Sequence, residues 1–148
     1  KNPFLNQFST YYSGKNLQIE KIEEAISLLT KYNDYKAFCK SPDKYENTIC
    51  NVTEAEIFSN AEKDKFRIRI SSNRFLRGMM RVIVAKLLEV GNVSLKVSEF
   101  EELLKAKQFT PNLEFADPQG LYLSNVLYPY LNLPAKTEQL AFFRSLKE

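Results

Sequence analysis

The sequence contains no histidine. That absence excludes Ser-His-Asp and Cys-His nucleophilic catalysis, histidine-ligated metals and the usual proton shuttle near neutral pH. Any chemistry has to rest on carboxylate, lysine, tyrosine, arginine or backbone groups. Cysteine is nearly as scarce. Cys39 and Cys50 have neither the close spacing of a zinc site nor the numbers of a disulfide framework, and they read as reduced thiols. No apolar run approaches the roughly 20 residues needed to cross a bilayer, and the longest, Val82 to Val90, contains Lys86 and Glu89. Nothing near Lys1 resembles a cleavable leader, so a cytoplasmic protein with no membrane partner is the expectation. An initiating methionine is also lacking: the chain opens on Lys1-Asn2-Pro3-Phe4, which reads as a processed product or, the preferred reading, an excerpt from a longer protein.

What is present is the composition of an ordinary folded protein. A length of 148 residues suits a single domain around one core. Hydrophobic residues at 44% and charged residues at 26% carry no signature of disorder. A net charge of +3 permits an acidic partner without demanding one.

Periodicity supplies the elements. Ile19, Ile22, Ala25, Ile26 and Leu29 stand at helical spacing and predict a helix from Gln18 to Lys31. Tyr35, Phe38 and Cys39 predict a short packed turn. Ile49 to Phe58 and Lys65 to Ser71 predict two strands around a polar turn, with Phe66, Ile68 and Ile70 alternating with Arg67, Arg69 and Ser71. Glu54 and Glu56 stand where they can pair with Arg67 and Arg69 across that hairpin, a reading preferred over an RNA-facing role. A mostly apolar helix is predicted from Phe75 to Val90, closed by Gly91 just past its end. Another is predicted to open near Ser98, with Ser98 or a neighbour as its cap, and to stop near Gln108. After a loop from Pro111 to Gln119, Leu121 to Tyr128 reads as a last strand stopped by Pro129, and the tail through Glu148 as a surface extension or short helix. The sum is an α+β domain in which a mostly antiparallel sheet carries helices on one face.

The most informative local pattern is electrostatic. Arg74, Arg77 and Arg81 cluster at the start of the apolar helix, and no acid follows before Glu89. A helix N-terminus carries partial positive charge and favours acids, so this placement runs against the dipole. In a helix Arg77 and Arg81 lie roughly 40° apart, and Arg74, if helical, shares their stripe. Such a face suits ligand phosphates or a carboxylate from elsewhere, and in their absence a structural acid or solvent.

Three blocks in order carry a resemblance: Asn33-Asp34-Tyr35-Lys36-Ala37-Phe38-Cys39 followed by Asn47-Thr48-Ile49; Arg74-Phe75-Leu76-Arg77-Gly78-Met79-Met80-Arg81 leading to Leu87-Leu88-Glu89-Val90-Gly91; and Asp117-Pro118-Gln119-Gly120-Leu121-Tyr122-Leu123 ending at Leu127-Tyr128-Pro129. Together they resemble the C-terminal half of the bacterial tRNA pseudouridine synthase A family. The resemblance implies an isomerase that converts uridine to pseudouridine in the tRNA anticodon stem-loop, at tRNA positions 38 to 40, as a homodimer without metal or organic cofactor. It departs from the family pattern at Cys50, at Arg77-Gly78 and at Asp117-Pro118-Gln119.

The family's catalytic aspartate lies in an Arg-Thr-Asp motif of the N-terminal half, and no such motif occurs here; Asp34, Asp43, Asp64 and Asp117 lack that setting. Residues 1–148 are therefore expected to be one domain, the RNA-binding and active-site half, inactive without its N-terminal partner half. By the resemblance, Arg81 is the partner of the absent aspartate. Leu121, preferred over Leu123, is expected against the target base, although core packing is an equally ordinary role for either. Phe75 is a weaker candidate beside the base, with core its commoner fate, and Arg74 and Arg77 suit RNA phosphates. The competing readings are a non-enzymatic module of the same fold that binds structured RNA, and a dimerisation domain.

Overall fold

The structure is a computed structural model that describes residues 8–13, 17–62, 64–128 and 130–131. Helix α1 (Ile19–Leu28) buries Ile19, Ile22, Ala25, Ile26 and Leu28, and turns Glu20, Glu23 and Glu24 to solvent. Its apolar stripe needs a covered neighbour, and a 3-10 turn over Leu29–Lys31 prolongs it as far as the sequence predicts. Tyr35 to Cys39 then folds as the expected packed turn, with a 3-10 segment at Lys36–Phe38. The Tyr35 hydroxyl donates to the Leu29 carbonyl at 2.5 Å, so that this buried phenol keeps a partner.

Strands β1 (Val52–Ser59) and β2 (Phe66–Ser72) pair antiparallel. Their register sets Ala55 opposite Ile70 and Ile57 opposite Ile68. These residues pack on the core, as alternation demands. On the outer face Glu56 lies opposite Arg69, and the ion pair closes at 2.5 Å, with Glu54 at 3.9 Å. Arg67 does not face Glu54 or Glu56 as expected. It lies opposite Phe58, and its guanidinium stands 4.6 Å from that ring's centroid.

Helices α2 (Met79–Gly91) and α3 (Val97–Ala106) complete the core with α1. Met79, Val82, Ile83, Leu87 and Val90 of α2 meet Phe100 and Leu104 of α3 in one buried cluster. Phe38 joins them, with its ring 6.0 Å from Tyr35 and 5.8 Å from Phe100. No helix among the described residues is long and apolar enough to cross a membrane.

Strand β1 begins at Val52 rather than Ile49, and four helix boundaries differ from the sequence reading. Helix α2 begins at Met79 rather than Phe75, because Gly78 holds the left-handed backbone (φ 78°) that interrupts a right-handed helix. Gly91 is the last helical residue, not the residue beyond it. A Cβ there would lie 2.7 Å from Ile22 Cδ1 and 2.9 Å from Leu17 Cδ2, so close helix packing is what calls for glycine. Ser98 lies inside α3; the cap position is Lys96, whose N–H donates to the Glu99 carboxylate at 2.8 Å. The helix stops at Ala106, where Lys107 turns left-handed.

The last difference concerns residues 121–127. They join no ladder, and the described sheet holds only β1 and β2, with an isolated bridge between Tyr128 and Leu131. Strand-favouring side chains do not make a strand without a neighbour to take the backbone N–H and C=O groups. Pro129 and the tail over 132–148 lie outside the described residues.

Two substitutions test this account of α2. Val93 carries a β-branched side chain at φ 64°, in the left-handed region. Val93→Gly is expected to raise the unfolding free energy by about 1 kcal/mol in urea titration, because that conformation costs an L residue about this much. Gly91→Ala is expected to lower it by about 1–3 kcal/mol through overpacking against Ile22 and Leu17.

Candidate functional site

The left-handed turn at Gly78 determines where the first turn of α2 can put its side chains. Half-buried Arg81 lies in that turn and reaches back to the loop over 113–116. Its Nε donates to the Ala116 carbonyl at 2.6 Å, while the Ala116 N–H donates to the Arg81 carbonyl at 3.1 Å. The guanidinium stands 5.3 Å from the Phe115 ring centroid, and Lys40 Nζ stands 5.7 Å from the same ring. Phe115 also seals the turn itself, since a Cβ on Gly78 would fall 2.7 Å from Phe115 Cε1. The loop and the helix start are thus latched together.

The latch uses one edge of the guanidinium. Among the described residues no carboxylate lies within ion-pair distance of Arg81, so its terminal nitrogens keep the planar fork that grips a carboxylate or phosphate by two hydrogen bonds. Loop packing and an open fork together give this arginine a fixed direction.

Arg74 and Arg77 do not continue a helical stripe, which corrects the sequence reading: both precede Gly78. Tyr45 links them instead. The Arg74 guanidinium stands 5.7 Å from the Tyr45 ring centroid and donates from Nη2 to the Asn47 carbonyl at 2.6 Å. The Arg77 N–H donates to the Tyr45 hydroxyl at 2.9 Å, and the Arg77 carbonyl accepts from the Lys40 N–H at 2.9 Å. The Arg77 side chain is exposed. Neither arginine forms an ion pair with a described carboxylate.

The apolar candidates also avoid the core. Phe75 is 39% exposed, while its neighbour Leu76 takes the buried position. Leu121 is 50% exposed and Leu123 75% exposed, after a turn in which the Leu121 N–H donates to the Pro118 carbonyl at 3.2 Å. The structure thus brings Arg81 together with Phe115 and Ala116, and Arg74 together with Tyr45 and Asn47. It leaves Phe75, Arg77, Leu121 and Leu123 presented to solvent. Lys40, Tyr45, Phe115 and the Ala116 carbonyl surround the candidate arginines, and sequence reasoning did not single them out. Only the Tyr45-Glu46-Asn47 step before Thr48-Ile49 carried a local signal for any of them.

Asp34 is occupied structurally. One carboxylate oxygen accepts from the Thr48 hydroxyl at 2.6 Å and from the Lys36 N–H at 3.1 Å, tying the turn after α1 to the entry of the hairpin. Cys39 and Cys50 are buried free thiols. Burial pushes the Cys50 thiol up, with a hydrogen bond and the charge of Arg74 opposing the shift. Burial likewise pushes the Tyr35 phenol well above its ordinary value, with Cys50 adding to the effect.

Comparison with known proteins gives a consistent result. A family model described as tRNA pseudouridine synthase matches residues 25–129. The chain is 31% identical over 131 residues to tRNA pseudouridine synthase A of Porphyromonas gingivalis, covering 87% of this chain and 51% of that protein. It is also 31% identical over 131 residues to the Ligilactobacillus salivarius protein of the same name, covering 86% and 51%. With tRNA pseudouridine synthase A 2 of Bacillus cereus it shares 34% identity over 125 residues, covering 84% and 50%. The chain spans about half the length of the curated relatives it matches.

Buried Cys50 and Tyr35 predict a pH dependence. Folding raises the proton affinity of Cys50 and Tyr35, so their contribution to stability is complete below their ordinary values of 9.0 and 10.0 and is lost as the pH climbs beyond them. The urea midpoint is expected to fall across this alkaline range, and Cys50→Ala is expected to blunt the fall.

Proposed function

Since the chain belongs to the tRNA pseudouridine synthase family, we propose that it forms the arginine-bearing, C-terminal half of an isomerase that converts uridine to pseudouridine in the anticodon stem-loop of tRNA. The observation that carries this reading is Arg81, fastened through Nε to the Ala116 carbonyl with its remaining fork free of any described carboxylate.

In this mechanism the catalytic aspartate comes from the N-terminal half of the same protein. Arg81 grips it by two hydrogen bonds, keeps it ionised and fixes its line of approach. The reaction moves the ribose from a ring nitrogen to a ring carbon of one base. It adds no atom and needs no net oxidant; the family resemblance implies that it runs without metal or organic cofactor. The glycosidic carbon cannot be reached within a base stack, and the uridine has to be extruded. Exposed Leu121, Leu123 and Phe75 supply apolar surface for the extruded base. Arg74 and Arg77 bind the flanking phosphates, consistent with their lack of carboxylate partners among the described residues. The working enzyme is a cytoplasmic homodimer.

The test is pseudouridine formation in tRNA. The 148-residue chain alone is expected to form none, whereas the complete protein with its aspartate-bearing half forms it. In the complete protein Arg81→Ala is expected to lower kcat by about 100-fold or more, and Arg81→Lys to give little rescue because lysine has no planar fork. Product from the chain alone would overturn the assignment of the aspartate to another segment. An unchanged kcat in Arg81→Ala would overturn the role of Arg81.

A further inference from the structure

Leu121 stands outside any ladder and is half exposed, so neither sheet pairing nor core packing fixes its direction. The restraint comes from the opposite end of the sequence. Within the turn, Gly120 adopts φ +84°, as a tight turn requires when its third residue is left-handed. Residues 8–10 lie against the outside of this turn. The Thr10 hydroxyl donates to the Gln119 carbonyl at 2.6 Å, and the Tyr122 hydroxyl donates to the Phe8 carbonyl at 2.7 Å. The two backbones approach so closely that a Cβ on Gly120 would lie 3.3 Å from Ser9 Cα and 3.5 Å from the Phe8 oxygen. Leu121 is therefore bracketed, on both sides in sequence, by hydrogen bonds to the same distant segment.

We infer that Thr10 and Tyr122 are positioning residues, which clamp the turn over Pro118–Leu121 onto residues 8–10 and so aim Leu121 at the base. The inference rests on the reading of Leu121 as a base-facing residue. Exposed hydrogen bonds compete with water and add little to global stability. What they do here is narrow the orientations of a turn that has no ladder to hold it. A group that has to meet a reacting base loses rate when its direction is loosened, even where binding survives. Tyr122 suits the task, since a phenol reaches a distant carbonyl with few rotatable bonds.

The experiment uses the complete protein and tRNA, and measures single-turnover rate, tRNA Kd and Tm for Leu121→Ala, Tyr122→Phe, Thr10→Val and Thr10→Ser. The expected result is that Leu121→Ala slows turnover, and that Tyr122→Phe and Thr10→Val each slow it by about tenfold, with Kd and Tm unmoved. Thr10→Ser, which keeps the hydroxyl, stays near the parent rate. If Leu121→Ala slows turnover but Tyr122→Phe and Thr10→Val do not, the clamp is refuted while the base-facing reading stands. If the two hydroxyl variants lose rate only in step with Tm, their role is structural and the inference fails. If Leu121→Ala has no effect, the reading of Leu121 fails and the clamp falls with it.

Discussion

The left-handed turn at Gly78, sealed by the Phe115 ring, is the constraint on which the rest of the arrangement depends. Because the backbone reverses hand there, α2 begins at Met79 and the phase of every α2 side chain follows. One consequence lies inside, where Met79, Val82, Ile83, Leu87 and Val90 fall on the faces that meet α1 and α3. Another lies at the surface, where Arg81 meets the Ala116 carbonyl while Arg74 and Arg77 are carried outside the helix. Phe115 closes on the space that a glycine leaves, so the loop and the helix start are two sides of one packing event.

Charge is distributed by the same geometry. Three cations elsewhere meet acids: Arg69 meets Glu56 across the hairpin, Lys86 meets Glu89 along α2, and Lys105 meets Glu101 and Glu102 on α3. Pairs of this kind at the surface are worth little to stability. Arg74 and Arg81, near the start of α2, differ. They touch carbonyls and aromatic rings, neutral groups that orient a guanidinium without cancelling its charge. That combination suits a surface awaiting an anion, be it the phosphates of an RNA or the carboxylate of a partner half.

Legibility from sequence varied with the range of the interaction. Helix α1 and the hairpin were readable because their patterns repeat over a few residues and the buried face agrees with the repeat. The start of α2 was not: Phe75 and Leu76 extend the apolar pattern backward, yet only Leu76 is buried, and the backbone reversal at Gly78 breaks the helix between them and Met79. Arg81 could be singled out by charge against the dipole and by motif. Its partner could not, since a backbone carbonyl such as that of Ala116 leaves no trace in side-chain pattern. The segment over 121–127 has the composition of a strand, but a ladder is made by two segments and composition describes only one.

The amino-acid sequence by itself determined the α+β class, the amphipathic faces of α1 and the hairpin, the exclusion of histidine chemistry and the family to which the chain belongs. Each of these depends on residue identity or short-range period. Tertiary structure alone decided that Gly91 serves helix packing, that Tyr45 links Arg74 to Arg77, that Phe115 and Ala116 hold Arg81, and that residues 8–10 hold the turn before Leu121. These are contacts between residues distant in the chain. Their geometry follows from how the core closes, which no local pattern records.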